Sequence, residues 1–277
     1  MSKIEWTGKT WNPSTGCDRI SPGCDNCYAL GMAKRLKAMG QAKYQHDGDP
    51  RTSGPGFGLT IHPSALDIPL SVRKPTTWFV NSMSDLFHAR VPVNFIGGVW
   101  NVMALTPWHT YQILTKRPER VQKILSEWEA NGWLWRKEDM IWCGPIPGPL
   151  ANVHVGTSIE MDRYCRRADD LRETPAAVRF LSLEPLLGPL PSLDLAGIDW
   201  AIIGAESGAN SRPVDLGWVR DLIAQCRETG TAVFVKQLGT QWARENFGGG
   251  TKGGDWESWP EDLRIREFPA VAEVAAS

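Results

Sequence analysis

Neither sign of charge dominates this sequence, histidine is scarce, and no long apolar run occurs. Lysine and arginine number 30 against 31 aspartates and glutamates, for a net charge of −1. A balance of this kind carries no basic excess to advertise nucleic acid, although a local patch can hide in a neutral total. Without an apolar run of some 20 residues there is no membrane-spanning helix and no membrane partner to expect. The opening residues, MSKIEWTGKTWNP, lack the apolar core of a signal peptide. The expected location is the cytoplasm, where stable disulfides are rare. No internal repeat and no composition break divides the 277 residues, so a single domain is expected over 1–277, with a loop-rich extension from about 240.

What is present is cysteine in an unusual place. The chain has six cysteines, and three of them, Cys17, Cys24 and Cys27, fall within STGCDRISPGCDNCYA at residues 14–29. Their spacing is C-x6-C-x2-C. A pair two residues apart can bring both sulfurs to one metal, and Pro22–Gly23 can turn the chain back so that the third joins them. Zinc would require a fourth ligand. No histidine is near, which leaves Asp18, Asp25, His46, Cys143 or Cys165 as candidates. A [4Fe–4S] cluster can be held by three thiolates with one iron left open. Unligated cysteines in a loop are the remaining reading. Cys226 lies on an apolar helix face and reads as core. The 14 tryptophans serve either to fill the core or to line a pocket.

Around the loop, strand-like and helix-like segments alternate. Apolar runs at 77–82, 110–115, 152–158, 178–185, 200–207 and 232–239 suit strands buried on both faces, and one more strand is expected near Lys9–Asn12. Helices are expected over 28–39, 118–128, 162–173 and 218–229, with Gly40 and Gly230 as stops. In the first, Met32, Leu36 and Met39 share a face. Such alternation predicts a parallel α/β sheet of six to seven strands, read as an open partial barrel, with a flat doubly wound sheet as the competitor. The segments 43–58 and 244–262 read as long loops or lids. The groups AKRLK at 33–37 and CRR at 165–167 read as solvated helix faces.

Ligands of parallel α/β folds sit at the C-terminal ends of the strands. Here nearly every strand closes on polar residues: Asn81, Ser82, Ser84 and Asp85; Thr115, Lys116 and Arg117; Thr157, Ser158 and Glu160; Ser182 and Glu184; Glu206 and Ser207; Lys236 and Gln237. The acids can instead be ion pairs with Lys116, Arg117 or Arg212. A barrel hydrolase using Glu160, Glu184 or Glu206 remains an alternative on these residues.

A three-cysteine loop after the first strand of a partial α/β barrel resembles the radical S-adenosylmethionine (SAM) superfamily. The usual loop there is C-x3-C-x2-C with an aromatic before the last cysteine. Here the first gap is six residues, Asn26 holds the aromatic position, and Tyr28 follows instead. Seven stretches in order resemble a phage- and mobile-element-associated family of unknown function: WNPSTGCDRISPGCDNCYA, FVNSMSDLFH, YQILTKRPER, VGTSIE, LSLEPLLGP, IIGAESGANSRP and FVKQLG. That family is itself similar to the radical SAM superfamily, near its spore photoproduct lyase branch.

The resemblance implies a [4Fe–4S] cluster on Cys17, Cys24 and Cys27 and SAM as co-substrate. It further implies a 5′-deoxyadenosyl radical acting on an unknown substrate, with nucleic acid or a nucleotide as the class suggested. Lys116 or Arg117 would meet the methionine carboxylate. Asn81, Ser82, Ser84, Asp85 and Ser158 would meet the amino group or ribose, and Glu160 and Glu184 the ribose or ammonium. Glu206, in GAESG, is a site residue of unassigned role. Cys143 can be placed near a radical only by analogy with the lyase. Implied partners are a "three-Cys-motif partner" protein and an electron donor such as flavodoxin or ferredoxin. The alternative function is a non-catalytic accessory protein that binds zinc or a cluster.

Overall fold

The computed structural model describes residues 5–131, 149–248 and 252–270. Strand β1 (Lys9–Trp11) opens the chain, and β2 (Ser14–Thr15) pairs antiparallel with β3 (Thr60–Ile61) as a small ribbon. Then come β4 (Thr77–Val80), β5 (Thr110–Thr115), β6 (Val153–Ser158), β7 (Val178–Leu183), β8 (Trp200–Gly204) and β9 (Ala232–Gln237). Apart from the ribbon, these form one seven-stranded sheet in the order β1-β4-β5-β6-β7-β8-β9. All neighbours are parallel.

The order rises without reversal, so the sheet has no switch point and is not doubly wound. Right-handed crossovers in one direction place the connecting helices on one face and curl the sheet into a half-barrel. Alternation along each strand shows the two faces. Trp78, Val80, Tyr111, Ile113, Val155, Leu181, Ile203 and Val233 point outward into one core with the helices. Phe79, Phe180, Trp200, Ile202 and Phe234 point inward and pack with Trp6 as an aromatic floor. This explains why the strands read as continuous apolar runs. Gly156 is required by that floor: a Cβ there would come within 2.5 Å of the Phe180 ring.

Helix α1 (Tyr28–Ala38) follows the cysteines, α2 (Val93–Leu105) follows β4, and α3 (Pro118–Ala130) follows β5. After β6 comes α4 (Arg166–Arg172), after β8 α5 (Leu216–Thr229), and after β9 α6 (Gly239–Phe247). Pro118 starts α3, and Val121, Ile124, Leu125 and Trp128 form its buried face. In α5, the Asp215 carboxylate accepts from the Gly217 N–H, and Gly230 ends the helix at φ 74°.

Three local expectations change. The buried face of α1 is Ala29 and Ala33, while Met32 and Met39 are exposed. Small residues are needed there because the helix lies close to Phe57 and Met83. Helix α2 was not expected: Phe95, Ile96, Val99, Trp100, Val102 and Met103 bury it on most sides, so it lacks a polar stripe. Arg167, in CRR, is buried and stacks on the Tyr164 ring at 4.3 Å. At the far edge, residues 265–267 add antiparallel hydrogen bonds to β9, Ile265 accepting from Val235 at 2.8 Å and Val233 from Glu267 at 2.7 Å. That segment covers an otherwise open sheet edge.

Candidate functional site

Above the aromatic floor the inward positions turn polar at the C-terminal strand ends. Two adjoining spaces open there. The smaller, about 180 Å³, is lined by Cys17, Cys24 and Cys27 together with Asn81, Ser82, Ser84, Asp85, Lys116, Arg117 and Ser158. The larger chamber, about 680 Å³, shares Cys27, Ser82, Lys116 and Ser158 and extends to Ser182, Glu184, Glu206, Lys236 and Gln237 over Trp6 and Phe79. Of the strand-end candidates, Thr157 and Glu160 line neither space.

The cysteine loop begins at Gly16, whose φ of 86° and contact with Gly58 exclude a side chain. Pro22–Cys24 forms a single 3₁₀ turn, and Cys27 takes the N-cap position of α1. There the positive end of the helix favours an anionic group.

Three carboxylate–guanidinium pairs, each with a buried carboxylate, surround this loop. Asp85 accepts from Arg117 Nη1 at 2.7 Å, and the same Nη1 lies 3.7 Å from Cys17 Sγ. Asp85 also accepts from the Thr115 hydroxyl and the Lys116 N–H. Glu160, fully buried, accepts from Arg167 at 3.0 Å, and Gly23 packs on its carboxyl group. Its Oε1 has no hydrogen-bond partner among the described residues. Glu206 accepts from Arg212 Nε and Asn26 Nδ2, both at 2.9 Å. Burial opposes ionisation of Glu206, but its bonds from Arg212 and Asn26 outweigh this and hold the carboxyl below its ordinary range.

The other candidates divide in the same way. Asn81 adopts φ 60° and binds Ser14 through both ends of its amide. Ser84 donates to the Gly16 carbonyl at 2.7 Å, and Ser82 donates to Asn12. These side chains hold the loop in place. Glu184 accepts from Lys236 on both oxygens at 2.8 Å and from Gln237 at 2.8 Å. Among the described residues, Lys116 Nζ has no hydrogen bond or ion pair, and it faces both spaces. The strand-end pattern marked where polar groups gather. Arg212 is among the ion-pair partners expected for the acids, and it pairs with Glu206; the pattern could not reveal Asn26, which lies 180 positions from Glu206, or that Arg167 turns inward to Glu160.

Three of the possible zinc ligands, Asp18, Asp25 and Cys165, are engaged elsewhere. The Asp18 carboxylate accepts from Thr52, Ser53, His88 and Arg90. Burial raises its pKa, but the Thr52 and His88 bonds prevail and bring it to about 2. Asp25 lies 3.5 Å from Arg212, and His46 lines a separate groove with Asp47 and Arg90. Cys165 is bonded to Asp162, and Cys226 is buried in the main core. Cys143 lies outside the described residues. Among the described residues, no three His, Cys, Asp or Glu side chains converge on a single ion. The donor set in the small cavity is three thiols on separate turns of one loop. It suits a group whose thiolates bind different metal atoms, as in an iron–sulfur cluster, better than one tetrahedral ion. Burial, with Asp85 adding to it and Arg117 opposing, pushes the Cys17 thiol up to about 12. A metal group bound there would favour the thiolate, as the Arg117 guanidinium already does in part.

No curated protein matches the sequence. Two solved structures are similar to it. One is a cysteine-to-alanine mutant of spore photoproduct lyase with dinucleoside spore photoproduct, at 11% identity and a TM-score of 0.40. The other is spore photoproduct lyase complexed with dinucleoside spore photoproduct, at 12% identity and a TM-score of 0.36. Each comparison covers 78% of this chain and 60% of the lyase chain, so the protein spans less than two thirds of those chains. A family model described as "Protein of unknown function (DUF5131)" matches residues 1–263, and the chain belongs to that family.

Proposed function

We propose that this protein is a radical SAM-type iron–sulfur enzyme whose cluster is held by Cys17, Cys24 and Cys27. The observation that carries this reading is the meeting of the three cysteines in one cavity at the C-terminal edge of a parallel half-barrel, with a larger polar chamber beside it. The chemistry such a cluster supplies when bound is one-electron reductive cleavage of the SAM sulfonium C–S bond, giving methionine and a 5′-deoxyadenosyl radical. The chain's own residues bind, orient and exclude water. Lys116 holds a carboxylate where the two spaces join, and Ser158 and Ser182 offer hydroxyls along the strand ends. Trp6 and Phe79 close the floor against solvent. Glu184, neutralised by Lys236, presents a polar wall without net charge to the substrate. Electrons come from a small donor protein such as flavodoxin or ferredoxin.

The ion pairing of Glu160, Glu184 and Glu206 leaves none of them poised as a free general acid or base, which counts against the hydrolase reading. That same pairing around the loop favours, as a second reading, a cluster-binding accessory protein without catalysis. Anaerobic purification and reconstitution test the metal. About four irons and four sulfides per chain, lost together in Cys17→Ala, Cys24→Ala and Cys27→Ala, are expected; stoichiometric zinc without sulfide would overturn the proposal.

A further inference from the structure

Residue 26, where the resemblance calls for an aromatic, is an asparagine whose side chain reaches 180 positions along the sequence. Its Nδ2 donates to Glu206 Oε2 at 2.9 Å and to the Asn210 carbonyl at 3.0 Å. Glu206, 6% exposed at the end of β8, is in turn gripped by Arg212 through Nε and Nη2. Arg212 also donates to the Pro22 carbonyl at 2.9 Å and faces Asp25 at 3.5 Å. Pro22, Asp25 and Asn26 flank Cys24. The turn carrying Cys24 and Cys27 is therefore fastened at three points to the Glu206–Arg212 pair on the opposite side of the half-barrel, through Asn26 to the carboxylate and through Pro22 and Asp25 to the guanidinium. From below, Gly23 rests on Glu160, with a Cβ there only 3.2 Å from the carboxyl carbon.

We propose that Asn26, Glu206 and Arg212 are positioning residues. They form a latch that sets the separation of Cys24 and Cys27 and closes the cysteine loop against β8. The proposal rests on the cluster reading above and removes Glu206 from the candidates for direct contact with SAM. Its physical basis is the cost of a loose turn. Two thiolates two residues apart have many relative placements, and those not fixed by the fold must be frozen when a metal group binds. A buried carboxylate that accepts from a guanidinium and an amide fixes both ends of the turn at once. Outer-shell groups of this kind typically change metal affinity about 10–100-fold when removed.

The test uses the full chain, reconstituted anaerobically, as wild type, Asn26→Ala, Asn26→Asp and Arg212→Ala. Arg220→Ala, which breaks a surface pair with Asp262, serves as a control. Two readouts are taken: the rate of iron loss to an excess of chelator, and the rate of alkylation of Cys24 and Cys27 in the metal-free protein, followed by mass spectrometry. The latch requires iron loss about 10–100-fold faster in Asn26→Ala and Arg212→Ala. The loss should be faster still in Asn26→Asp, where a carboxylate faces Glu206, with the control unchanged. The electron paramagnetic resonance signal of the reduced cluster should shift in the same variants, which loss of overall stability alone would not produce. Wild-type rates of iron loss and alkylation in all variants would overturn the latch. Should the wild-type chain take up no iron and sulfide, the cluster reading fails separately. The alkylation rates then decide the latch: faster labelling in the variants supports it, and unchanged labelling overturns it.

Discussion

Arg117 stands between a thiol and a carboxylate: its Nη1 is 3.7 Å from Cys17 Sγ and 2.7 Å from Asp85 Oδ2. Its Nη2 donates to the Asp18 carbonyl, so one side chain at the end of β5 fixes the first cysteine through two atoms of the loop. Both members of the ion pair are about nine-tenths buried. Removing one partner of such a pair leaves a buried charge uncompensated, at a cost of about 3–5 kcal/mol. Arg117→Met should therefore lower the stability of the metal-free protein by about that much in urea unfolding. Adding Asp85→Asn should recover part of the loss. A change under about 1 kcal/mol would mean that the pair does not hold the loop.

The floor of the half-barrel gives a second expectation. Gly156 faces the Phe180 ring so closely that even a methyl group has no room. Gly156→Ala should cost about 1–3 kcal/mol by overpacking, and Phe180→Leu in the same chain should relieve it. Thermal unfolding of the two single variants and the double variant measures the coupling. Additive losses would contradict the packing described here.

Much of this architecture was legible in the residues. Six of the seven strands follow from apolar runs that end in polar groups, the seventh falls where one more strand was expected near Lys9–Asn12, and the cysteine loop follows from its spacing. Gly40 and Gly230 stop their helices as expected, at φ 71° and 74°. Helix α2 was not legible, because a helix buried on most sides has no contrast between faces for periodicity to find. The burial of Ala29 and Ala33 in place of Met32 and Met39 was also hidden. It depends on how closely α1 approaches the segment around Phe57, and spacing does not encode that. At the site, Arg117 and Arg212 were legible as partners of the acids, and they pair with Asp85 and Glu206; the other partners were not. Asn26 with Glu206 and Lys236 with Glu184 are joined only when the sheet has curled, and Arg167, seven residues from Glu160, reads as part of a solvated helix face.

Inside the half-barrel, His154 is 4% exposed and neither ring nitrogen has a hydrogen-bond partner among the described residues. Burial lowers its pKa from 6.5 to about 4. Between those values the unfolded chain binds the proton that the folded chain rejects. His154 therefore carries no protonation penalty above about pH 6.5, and stability falls as the pH drops from there towards 4. The loss amounts to about 3 kcal/mol at most. His154→Leu should flatten this part of the profile relative to wild type, measured as urea midpoints at several pH values. Parallel profiles would show that His154 is solvated or partnered in solution.

Lys116 faces both spaces without a partner among the described residues. Losing a charged hydrogen-bond donor typically costs about 1.5–3 kcal/mol. Lys116→Ala should thus weaken SAM binding by about 10–100-fold while leaving unfolding midpoints unchanged. Equilibrium dialysis of the reconstituted protein reads the affinity, and unaltered binding would remove Lys116 from the site.

The central claim is that Cys17, Cys24 and Cys27 hold a cluster that turns over SAM. It is tested most directly by 5′-deoxyadenosine formation. The reconstituted protein is given dithionite and SAM without oxygen, and the nucleoside is quantified by chromatography beside Cys24→Ala. Product from the wild type and none from the variant is the expected result. A fully loaded wild-type protein that forms no 5′-deoxyadenosine would contradict the enzymatic reading and leave the chain as a cluster-binding accessory protein.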